Sequence, residues 1–233
     1  MEAMGLVVLD RLPLIGDETV VDAGCGSGRI TQTLVERLPR GRVIGVDASA
    51  SMIEAARTRL GDRAELLVAD LATLDLAEQV DAVFSTATFH WIADHDALFA
   101  ALHRTLRPGG RLVAQCGGEG NIATVHTAAE AVLAEGPYAA HVAGWRRPWT
   151  FAEPGETESR LRAAGFAEAR AWLEPWTIRP EDPHAYLTEI NLGAHLQQLP
   201  TELRSPFVRA VLDRLPGRPV EIDYVRLNIT ATA

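Results

Sequence analysis

The sequence predicts an α/β protein in which helices cover both faces of a mainly parallel, doubly wound sheet. From residue 19 to residue 116, short runs rich in β-branched residues alternate with longer amphipathic segments. A glycine-rich turn follows the first of these runs and leads directly into a helical pattern. The chain has 233 residues, 47% of them hydrophobic, which is enough for one elaborated domain with a full core.

Strands and helices are expected to alternate through the first half of the chain. Each expected helix carries apolar residues at helical spacing, as Ile30, Leu34 and Leu38 do. The Pro-Gly-Gly sequence after Arg107 is expected to stop the third helix and to turn the chain into the fifth strand. The expected strands are 19–23, 42–46, 64–68, 80–85 and 111–116, and the expected helices are 29–38, 49–60 and 94–106.

The second half of the chain has a different pattern. Strands are expected at 169–177 and 222–230, with about 45 residues between them, far more than a hairpin loop needs. The insertion has helical patterns, and its length predicts that it packs over another part of the protein. The helices expected after residue 117 are 121–135, 154–164, 184–196 and 202–215, and an irregular loop rich in Trp and Arg is expected at 144–149.

Charge and composition exclude several classes of protein. Lys and Arg total 22 against 31 Asp and Glu, and the net charge of −9 argues against a nucleic-acid partner. No stretch without a charged residue is longer than 82–93, which is far shorter than the about 20 residues of a membrane-spanning helix. The N-terminus lacks the pattern of a signal peptide, and two cysteines are too few for a disulfide framework. We therefore expect a cytoplasmic protein with no membrane segment.

The most informative segment is the turn after the first expected strand, which reads DAGCGSGR at residues 22–29. Its glycines let the backbone approach a ligand closely and present amide groups to it. A dinucleotide fingerprint would need a glycine at the position of Arg29, and the Gly-Lys-Ser/Thr of a phosphate-binding loop is also absent. The turn therefore disfavours pyrophosphate binding, although a nicotinamide-dependent oxidoreductase stays open as an alternative.

Acidic residues follow the next two expected strands. Asp47 lies at the tip of the second strand, where a ribose would lie if an adenosine sat over the glycine turn. Asp70 follows the third strand and offers a carboxylate to an exocyclic amine. Asp47 could instead cap the helix that begins near Ser49. Asp70 could have only a structural role, in stabilising the turn after the third strand. Successive strand ends in a parallel sheet meet at one edge, so we expect these groups to share one ligand.

This series resembles the class I S-adenosylmethionine-dependent methyltransferases. The shared features are the DAGCGSG turn at 22–28, Asp47 after the second strand, the Asp70-Leu71 pair after the third, and LRPGG at 106–110. The sequence FHWI at 89–92 and the helical insertion resemble the trans-aconitate methyltransferase branch most. The resemblance implies a Rossmann-like, seven-stranded sheet with an antiparallel last strand and a helical cap insertion at about 178–219. It also implies one methyltransferase domain at 1–233, with a cofactor-binding half at 1–118 and an acceptor-side half at 119–233.

The resemblance implies S-adenosylmethionine as cofactor and S-adenosylhomocysteine as product. Asp22 is expected to organise the turn, Asp47 to hold the ribose hydroxyls, and Ala48 and Met52 to flank the adenine. Asp70 and the Leu71 amide are expected to meet the adenine edge, and carbonyls near Thr86 to face the methionine ammonium. In this family a segment that precedes the first strand often closes over the cofactor. We expect this segment to be short here, to lie outside the given sequence, or to be replaced by another part of the protein. The turn residues expected to line the cofactor are Gly24, Cys25, Gly26 and Gly28.

The acceptor site is less clearly marked. His90 could be a catalytic base, although shaping the pocket together with Trp91 is the favoured reading. Arg146 and Arg147 could clamp an anion or simply be solvated, and Trp145 could wall the acceptor pocket or anchor its loop.

We expect a small carboxylic acid as the acceptor in a chain that is a monomer or homodimer and binds no metal. Methylation of oxygen or nitrogen in a natural product, and non-catalytic cofactor binding, stay open as alternatives. Further residues on the insertion could belong to the acceptor site or to the packing of the core, and these are Tyr186, Asn191 and His195.

Overall fold

The computed structural model describes residues 2–233, with side chains from residue 4 onward. It contains a seven-stranded sheet in the order β3-β2-β1-β4-β5-β7-β6. The predicted Rossmann-like fold is confirmed, including its antiparallel part, which involves β5, β7 and β6. The strands are β1 (Thr19–Ala23), β2 (Arg42–Asp47), β3 (Glu65–Val68), β4 (Val80–Thr86), β5 (Leu106–Gly117), β6 (Ala167–Ile178) and β7 (Ile222–Thr232).

Helices connect most of the strands. Short 3₁₀ turns lie between them, of which Leu71–Thr73 and Phe89–Trp91 follow the ends of β3 and β4. The helices are α1 (Glu2–Leu9), α2 (Arg29–Arg37), α3 (Ala50–Leu60), α4 (His95–Thr105), α5 (Ala123–Leu133), α6 (Pro154–Ala163), α7 (Pro183–Tyr186), α8 (Gly193–Gln197) and α9 (Thr201–Arg214). None of the helices in the described part of the chain is both long and apolar enough to cross a membrane.

The centre of the sheet is built from parallel apolar strands. On β1, Val21 pairs with Ile44 of β2 on one side and with Val83 of β4 on the other. These side chains are almost entirely buried and belong to the main hydrophobic cluster. Because the chain order reverses between β1 and β4, the carboxyl ends of these strands open a crevice at that edge of the sheet.

The segment 106–110 differs from its expected role as a turn. Helix α4 ends at Thr105 as expected, but residues from Leu106 onward are already part of β5. The amide of Gly109 donates to the carbonyl of Ala233, and the amide of Ala233 donates to the carbonyl of Gly110. These two bonds join the beginning of β5 to the residue that follows β7, in the antiparallel part of the sheet.

The helix expected at 184–196 is interrupted. Its first turn, α7, continues into a π-helical turn at Leu187–Asn191, and α8 begins only at Gly193. The amide of Leu192 bonds to the carbonyl of Leu187, five residues earlier, which widens the helix at this point. The sequence pattern does not distinguish this turn from an α-helix, because the apolar spacing is the same.

The chain divides into two compact units. The first contains residues 1–119, 150–174 and 227–233, and the second contains residues 120–149 and 175–226. The first unit carries β1 to β5 and the glycine-rich turn, whereas α5 and α7 to α9 belong to the second. The expected halves at 1–118 and 119–233 stay predictions.

Candidate active site

A cavity of about 710 Å³ lies in the first unit, at the carboxyl ends of β1, β2, β3 and β4. This is the edge of the sheet at which the sequence predicts the ligand. The cavity is lined by Gly24, Gly26, Asp47, Ala48, Ser49, Met52, Asp70, Leu71, Ala72, Thr86, Ala87, Thr88, Trp91, Ile92, Ala93 and Asp94.

The glycine turn is fixed to the tip of β2 by its own backbone. The amides of Gly24 and Cys25 both donate to the carbonyl of Val46, at 2.7 and 3.0 Å, and the amide of Gly26 donates to Asp47 Oδ2 at 2.9 Å. Gly24 has a φ of 85°, and a Cβ atom at this position would collide with the side chain of Thr88. Glycine is therefore required here both by the backbone conformation and by the space available.

Asp22 supports the turn from behind. Its side chain is 3% exposed and accepts a hydrogen bond of 2.6 Å from Thr31 Oγ1 on α2. Burial raises the pKa of Asp22 to about 6, an effect that the hydrogen bond from Thr31 opposes. Asp22 does not line the cavity, and neither do Cys25 and Gly28, although the resemblance implies that both contact the cofactor. The position of Asp22 fits the expected organising role.

Asp47 connects the turn to the beginning of α3. Its Oδ2 accepts from the Gly26 amide and its Oδ1 accepts from the Ser49 amide, each at 2.9 Å. The N-cap of α3 is Ser49, whose hydroxyl oxygen accepts from the Met52 amide. Each carboxylate oxygen can accept a second hydrogen bond. Asp47 can therefore hold the turn and still bind two hydroxyl groups of a ligand in the cavity.

Asp70 lies at the far side of the same cavity. It caps the turn Leu71–Thr73, because its Oδ1 accepts from the Ala72 amide at 2.9 Å. Its Oδ2 has no hydrogen bond to any residue that the structure describes, so it can accept one from a ligand amine. Met52 is 46% exposed and adds an apolar side chain to the cavity. Asp70 can therefore stabilise this turn, as the sequence allowed, and bind a ligand as well.

The cavity fits S-adenosylmethionine in its donors and acceptors. Carboxylates at Asp47 and Asp70 match the ribose hydroxyls and the adenine amine, and Met52 offers an apolar contact for the adenine ring. The open space at Gly26, where no atom lies within 4 Å of an added Cβ, leaves room for the methionine part. Predicted cofactor residues that line this cavity are Gly24, Gly26, Asp47, Ala48, Met52, Asp70, Leu71 and Thr86.

Several residues that line the cavity were not among the site residues predicted from the sequence. Thr88 Oγ1 lies 3.0 Å from the carbonyl oxygen of Thr86 and 3.3 Å from that of Gly24, so the Thr88 hydroxyl can donate to either one. Gly24 and Thr88 are far apart in the sequence, and no local pattern predicts their contact. Ala87 has a φ of 56°, which is unusual for alanine and equally invisible in the sequence. Asp94 does have a local signal, because it is the N-cap of α4 and accepts from the Ala97 amide.

His90 is held in place by the backbone around it. Its Nδ1 accepts a hydrogen bond of 3.2 Å from the Gly117 amide, and its carbonyl accepts one of 2.7 Å from the Thr150 amide. With Nδ1 as an acceptor, the neutral ring carries its proton on Nε2. The ring contacts Trp91, which lines the cavity and is 53% exposed, and it also contacts Phe151. His90 itself is not among the residues that line the cavity, and its contact with Trp91 connects it to one that is.

The other residues expected at the acceptor site lie in the second unit. Trp145 contacts Trp149 and His195 at centroid distances of 6.2 and 5.2 Å. Trp149 also stacks on His126 at 4.9 Å. Burial lowers the pKa of His126 and that of His195 to about 4. These contacts make an aromatic cluster inside the second unit.

The two adjacent arginines of the loop at 144–149 are exposed. Arg147 pairs with Glu130 at 3.2 Å, and more than half of each side chain is accessible to solvent. Exposed ion pairs are weak, so this contact leaves Arg147 able to exchange partners. The roles of Arg146 and Arg147 in binding an anion stay predictions. Residues 4–233, whose side chains are described, contain no group of three or more His, Cys, Asp or Glu side chains that could hold a metal ion.

A family model described as a methyltransferase domain matches residues 21–114. A trans-aconitate 2-methyltransferase of Methylobacterium radiotolerans is 33% identical over 219 residues, which cover 90% of this chain and 82% of that protein. One from Azoarcus sp. is 47% identical over 108 residues, which cover 46% of this chain and 42% of that protein. The crystal structure of an S-adenosylmethionine-dependent methyltransferase from Mesorhizobium loti is 24% identical with a TM-score of 0.57, and the match covers 98% of this chain and 96% of that one.

The Methylobacterium protein is similar over most of both chains, and the Mesorhizobium structure has the same fold. These likenesses agree with the cavity at the ends of β1 to β4 and with the carboxylates that line it. The chain therefore belongs to the S-adenosylmethionine-dependent methyltransferases, in the family of the trans-aconitate methyltransferases, and uses the cofactor of that family.

Proposed function

We propose that this chain methylates a carboxylate oxygen of a small organic acid. The cofactor supplies an electrophilic methyl group on a sulfonium sulfur. In the reaction the sulfur–carbon bond breaks and a carbon–oxygen bond forms, giving a methyl ester and S-adenosylhomocysteine. The observation that carries the proposal is the cavity of the first unit with Asp47 and Asp70 on its wall, together with relatives named trans-aconitate 2-methyltransferase.

The residues of the first unit bind and orient the reactants. Asp47 accepts hydrogen bonds from the ribose, and Asp70 with the Leu71 amide meets the adenine edge. The carbonyl oxygens near Thr86 and the free volume beside Gly26 suit the ammonium end of the methionine part. Correct alignment of two bound reactants can lower a barrier by about 7 to 11 kcal/mol, which is the main source of rate that we assign to this chain.

The proposed acceptor needs no catalytic base. A carboxylic acid is already ionised near pH 7, so its oxygen attacks without losing a proton. This agrees with the bonding of His90, whose Nδ1 accepts from the Gly117 amide and whose ring contacts Trp91. We assign His90 a positioning role and keep Trp91, Trp145, Arg146 and Arg147 as proposed acceptor residues.

We also propose that the protein works in a reducing cytoplasm. Cys25 and Cys116 are both buried, and neither forms a disulfide in the part of the chain that the structure describes. A small-molecule acceptor is supported by the names of the relatives, and a monomer or homodimer stays our proposal for the oligomeric state.

A methyl-transfer assay with labelled cofactor tests the proposal. The panel contains small carboxylic acids, amines and phenols, and the products are separated by mass and by lability to mild base. We expect label to appear in base-labile methyl esters of carboxylic acids. Exclusive transfer to amines or phenols would contradict the proposed acceptor class, and cofactor binding without transfer to any of them would contradict catalysis.

A further inference from the structure

One side of the cofactor cavity is formed by the segment 91–94, which connects β4 to α4 in the first unit. All four of its residues line the cavity. Three of them are exposed and Ile92 is only partly buried, so burial alone does little to fix this segment. Phe89 shortly before it and His95 directly after it are 1% and 4% exposed. The segment is therefore held from its two buried ends.

A hydrogen bond joins these two ends. His95 Nε2 lies 3.0 Å from the carbonyl oxygen of Phe89. The same carbonyl accepts from the Ile92 amide at 3.0 Å, which closes the 3₁₀ turn at this point. His95 is the first residue of α4 and follows the N-cap, Asp94. The bond therefore ties the beginning of α4 to the turn after β4, and the segment 91–94 lies between the two points that it joins.

The surroundings of His95 favour an uncharged ring. A carbonyl oxygen can only accept a hydrogen bond, so the hydrogen of the neutral ring is assigned to Nε2. His95 Nδ1 is buried and has no hydrogen-bond partner in the part of the chain that the structure describes. A charged ring would carry a second hydrogen, on Nδ1, and burying that hydrogen without an acceptor costs free energy. The bond to Phe89 is therefore compatible with the neutral ring and opposed to the charged one.

The charged groups that face His95 act in both directions. Burial has the largest effect and lowers the pKa of His95, whereas the Phe89 carbonyl raises it. Arg160 on α6 lowers this pKa further, and Glu156 on α6 and Asp96 on α4 raise it. Arg160 pairs with both carboxylates, at 2.7 Å to Glu156 and 3.5 Å to Asp96, so these charges partly cancel at the ring. Burial therefore decides the direction, and the ring stays neutral near pH 7.

We propose that the uncharged ring of His95 positions the segment 91–94 and thereby sets the affinity of this chain for S-adenosylmethionine. His95 does not line the cavity, so it acts through the residues that lie between it and Phe89. It is a positioning residue and takes no part in the chemical step. This inference rests on the cofactor-binding part of the proposed function and does not depend on which acceptor is methylated.

Two amide side chains of different length test the bond. The amide nitrogen of glutamine is as many bonds from the backbone as His95 Nε2 and can donate to the Phe89 carbonyl, whereas that of asparagine reaches only as far as Nδ1. Isothermal titration calorimetry with S-adenosylhomocysteine measures cofactor affinity. We expect His95→Gln to bind within about threefold of the wild type and His95→Asn to bind about tenfold more weakly, because only the second loses the bond. Equal affinities in the two folded variants would overturn the inference.

A further variant keeps the test valid if His95→Asn does not fold. His95→Phe keeps a ring that can pack against Phe99, which lies 5.8 Å from the imidazole, but it has no donor. It is expected to weaken cofactor binding as His95→Asn does. The matched control is His103→Asn, on the same helix, whose ring contacts Phe166 and does not line the cavity. The control is expected to keep the wild-type affinity, and an equal loss there would show that any damage to α4 weakens binding and that the bond of His95 has no special role.

Acid gives a second measurement that a purely structural role of His95 would not change. The pKa of His95 is lowered from 6.5 while its bond to Phe89 is made, so lowering the pH favours the protein in which this bond is broken. We therefore expect cofactor affinity to fall more steeply between about pH 7 and about pH 5 in the wild type than in His95→Gln. Asp22 titrates in both proteins, so its effect cancels in this comparison. The same dependence on pH in both proteins would contradict the inference.

The outcomes separate this inference from the proposed function. Binding is measured without an acceptor, so a loss of affinity in His95→Asn that is absent in His95→Gln supports the inference even if no carboxylic acid is methylated. If acids are methylated but the two variants bind the cofactor equally well, the role of His95 is wrong and the proposed function stands. If the folded wild-type protein does not bind S-adenosylhomocysteine, the cofactor site fails and the inference fails with it.

Discussion

Asp47 is the residue that ties the ligand cavity to the glycine turn. Its two carboxylate oxygens hold the amides of Gly26 and Ser49 and keep further lone pairs for a ligand. His90 shows a different arrangement, because one ring nitrogen is already engaged by the Gly117 amide. Asp47 therefore keeps lone pairs that can bind a ligand, whereas one ring nitrogen of His90 is used within the protein.

Replacing Asp47 with alanine is expected to weaken cofactor binding by about 1 to 3 kcal/mol. The ribose hydroxyls lose a charged acceptor, and the Gly26 amide loses its partner. Isothermal titration calorimetry with S-adenosylhomocysteine measures the effect. The control is Asp62→Ala, which removes an exposed carboxylate outside the cavity. Equal affinities for Asp47→Ala and the wild type would remove Asp47 from the site.

Replacing His90 with asparagine is expected to leave turnover within about tenfold of the wild type, because the amide oxygen can accept from Gly117 as Nδ1 does. His90→Ala loses this bond and is expected to raise KM more than it lowers kcat, since Trp91 is less well positioned. Steady-state kinetics with a carboxylic acid gives both values. A kcat that collapses in both variants, with loss of an imidazole limb from its pH profile, would show that His90 acts as a base.

At the scale of elements, local patterns account for most of the fold. Strand β1 lies at Thr19–Ala23 as the apolar run predicts, and the sequence also located α2 and α3 to within one residue at each end. The widened turn at Leu187–Asn191 could not be predicted, because it depends on one backbone bond rather than on apolar spacing. The same limit applies to the site, since the packing of Thr88 against Gly24 joins distant parts of the chain.

The glycine turn gives a prediction at this scale. Gly24→Ala is expected to lower stability and to abolish cofactor binding, because the new Cβ collides with Thr88 and the φ of 85° is strained. Gly136→Ala is the matched control: its φ is 51°, but no atom lies within 4 Å of the added Cβ. The control isolates backbone strain, which costs about 1 to 3 kcal/mol. Thermal unfolding should show a clearly larger loss for Gly24→Ala, and equal losses would contradict the collision.

At the scale of the whole molecule, buried titratable groups make stability depend on pH. The folded-state pKa values of His126 and His195 are lowered to about 4, so the unfolded chain binds more protons between about pH 4 and the ordinary histidine value of 6.5. Their contribution to stability is complete above pH 6.5 and is lost as the pH falls towards 4. Asp22 acts in the opposite sense, because its pKa is raised to about 6 and its buried carboxyl favours the protonated form.

The histidine contribution can be isolated by His195→Phe, which keeps an aromatic ring among Trp145, Trp149 and Phe207. We expect the wild-type protein to lose stability relative to this variant as the pH falls from 6.5 to 4. Urea unfolding at several pH values measures the difference. A difference that does not change with pH would show that His195 titrates alike in the folded and unfolded chains.

The central claim is that the ends of β1 to β4 form the binding site for S-adenosylmethionine. Calorimetric titration of the wild-type protein and of Asp47→Ala with S-adenosylhomocysteine tests it most directly. We predict one binding site per chain in the wild type and a clearly weaker one in the variant. Absence of binding to correctly folded wild-type protein, or undiminished binding by Asp47→Ala and Gly24→Ala together, would contradict the claim.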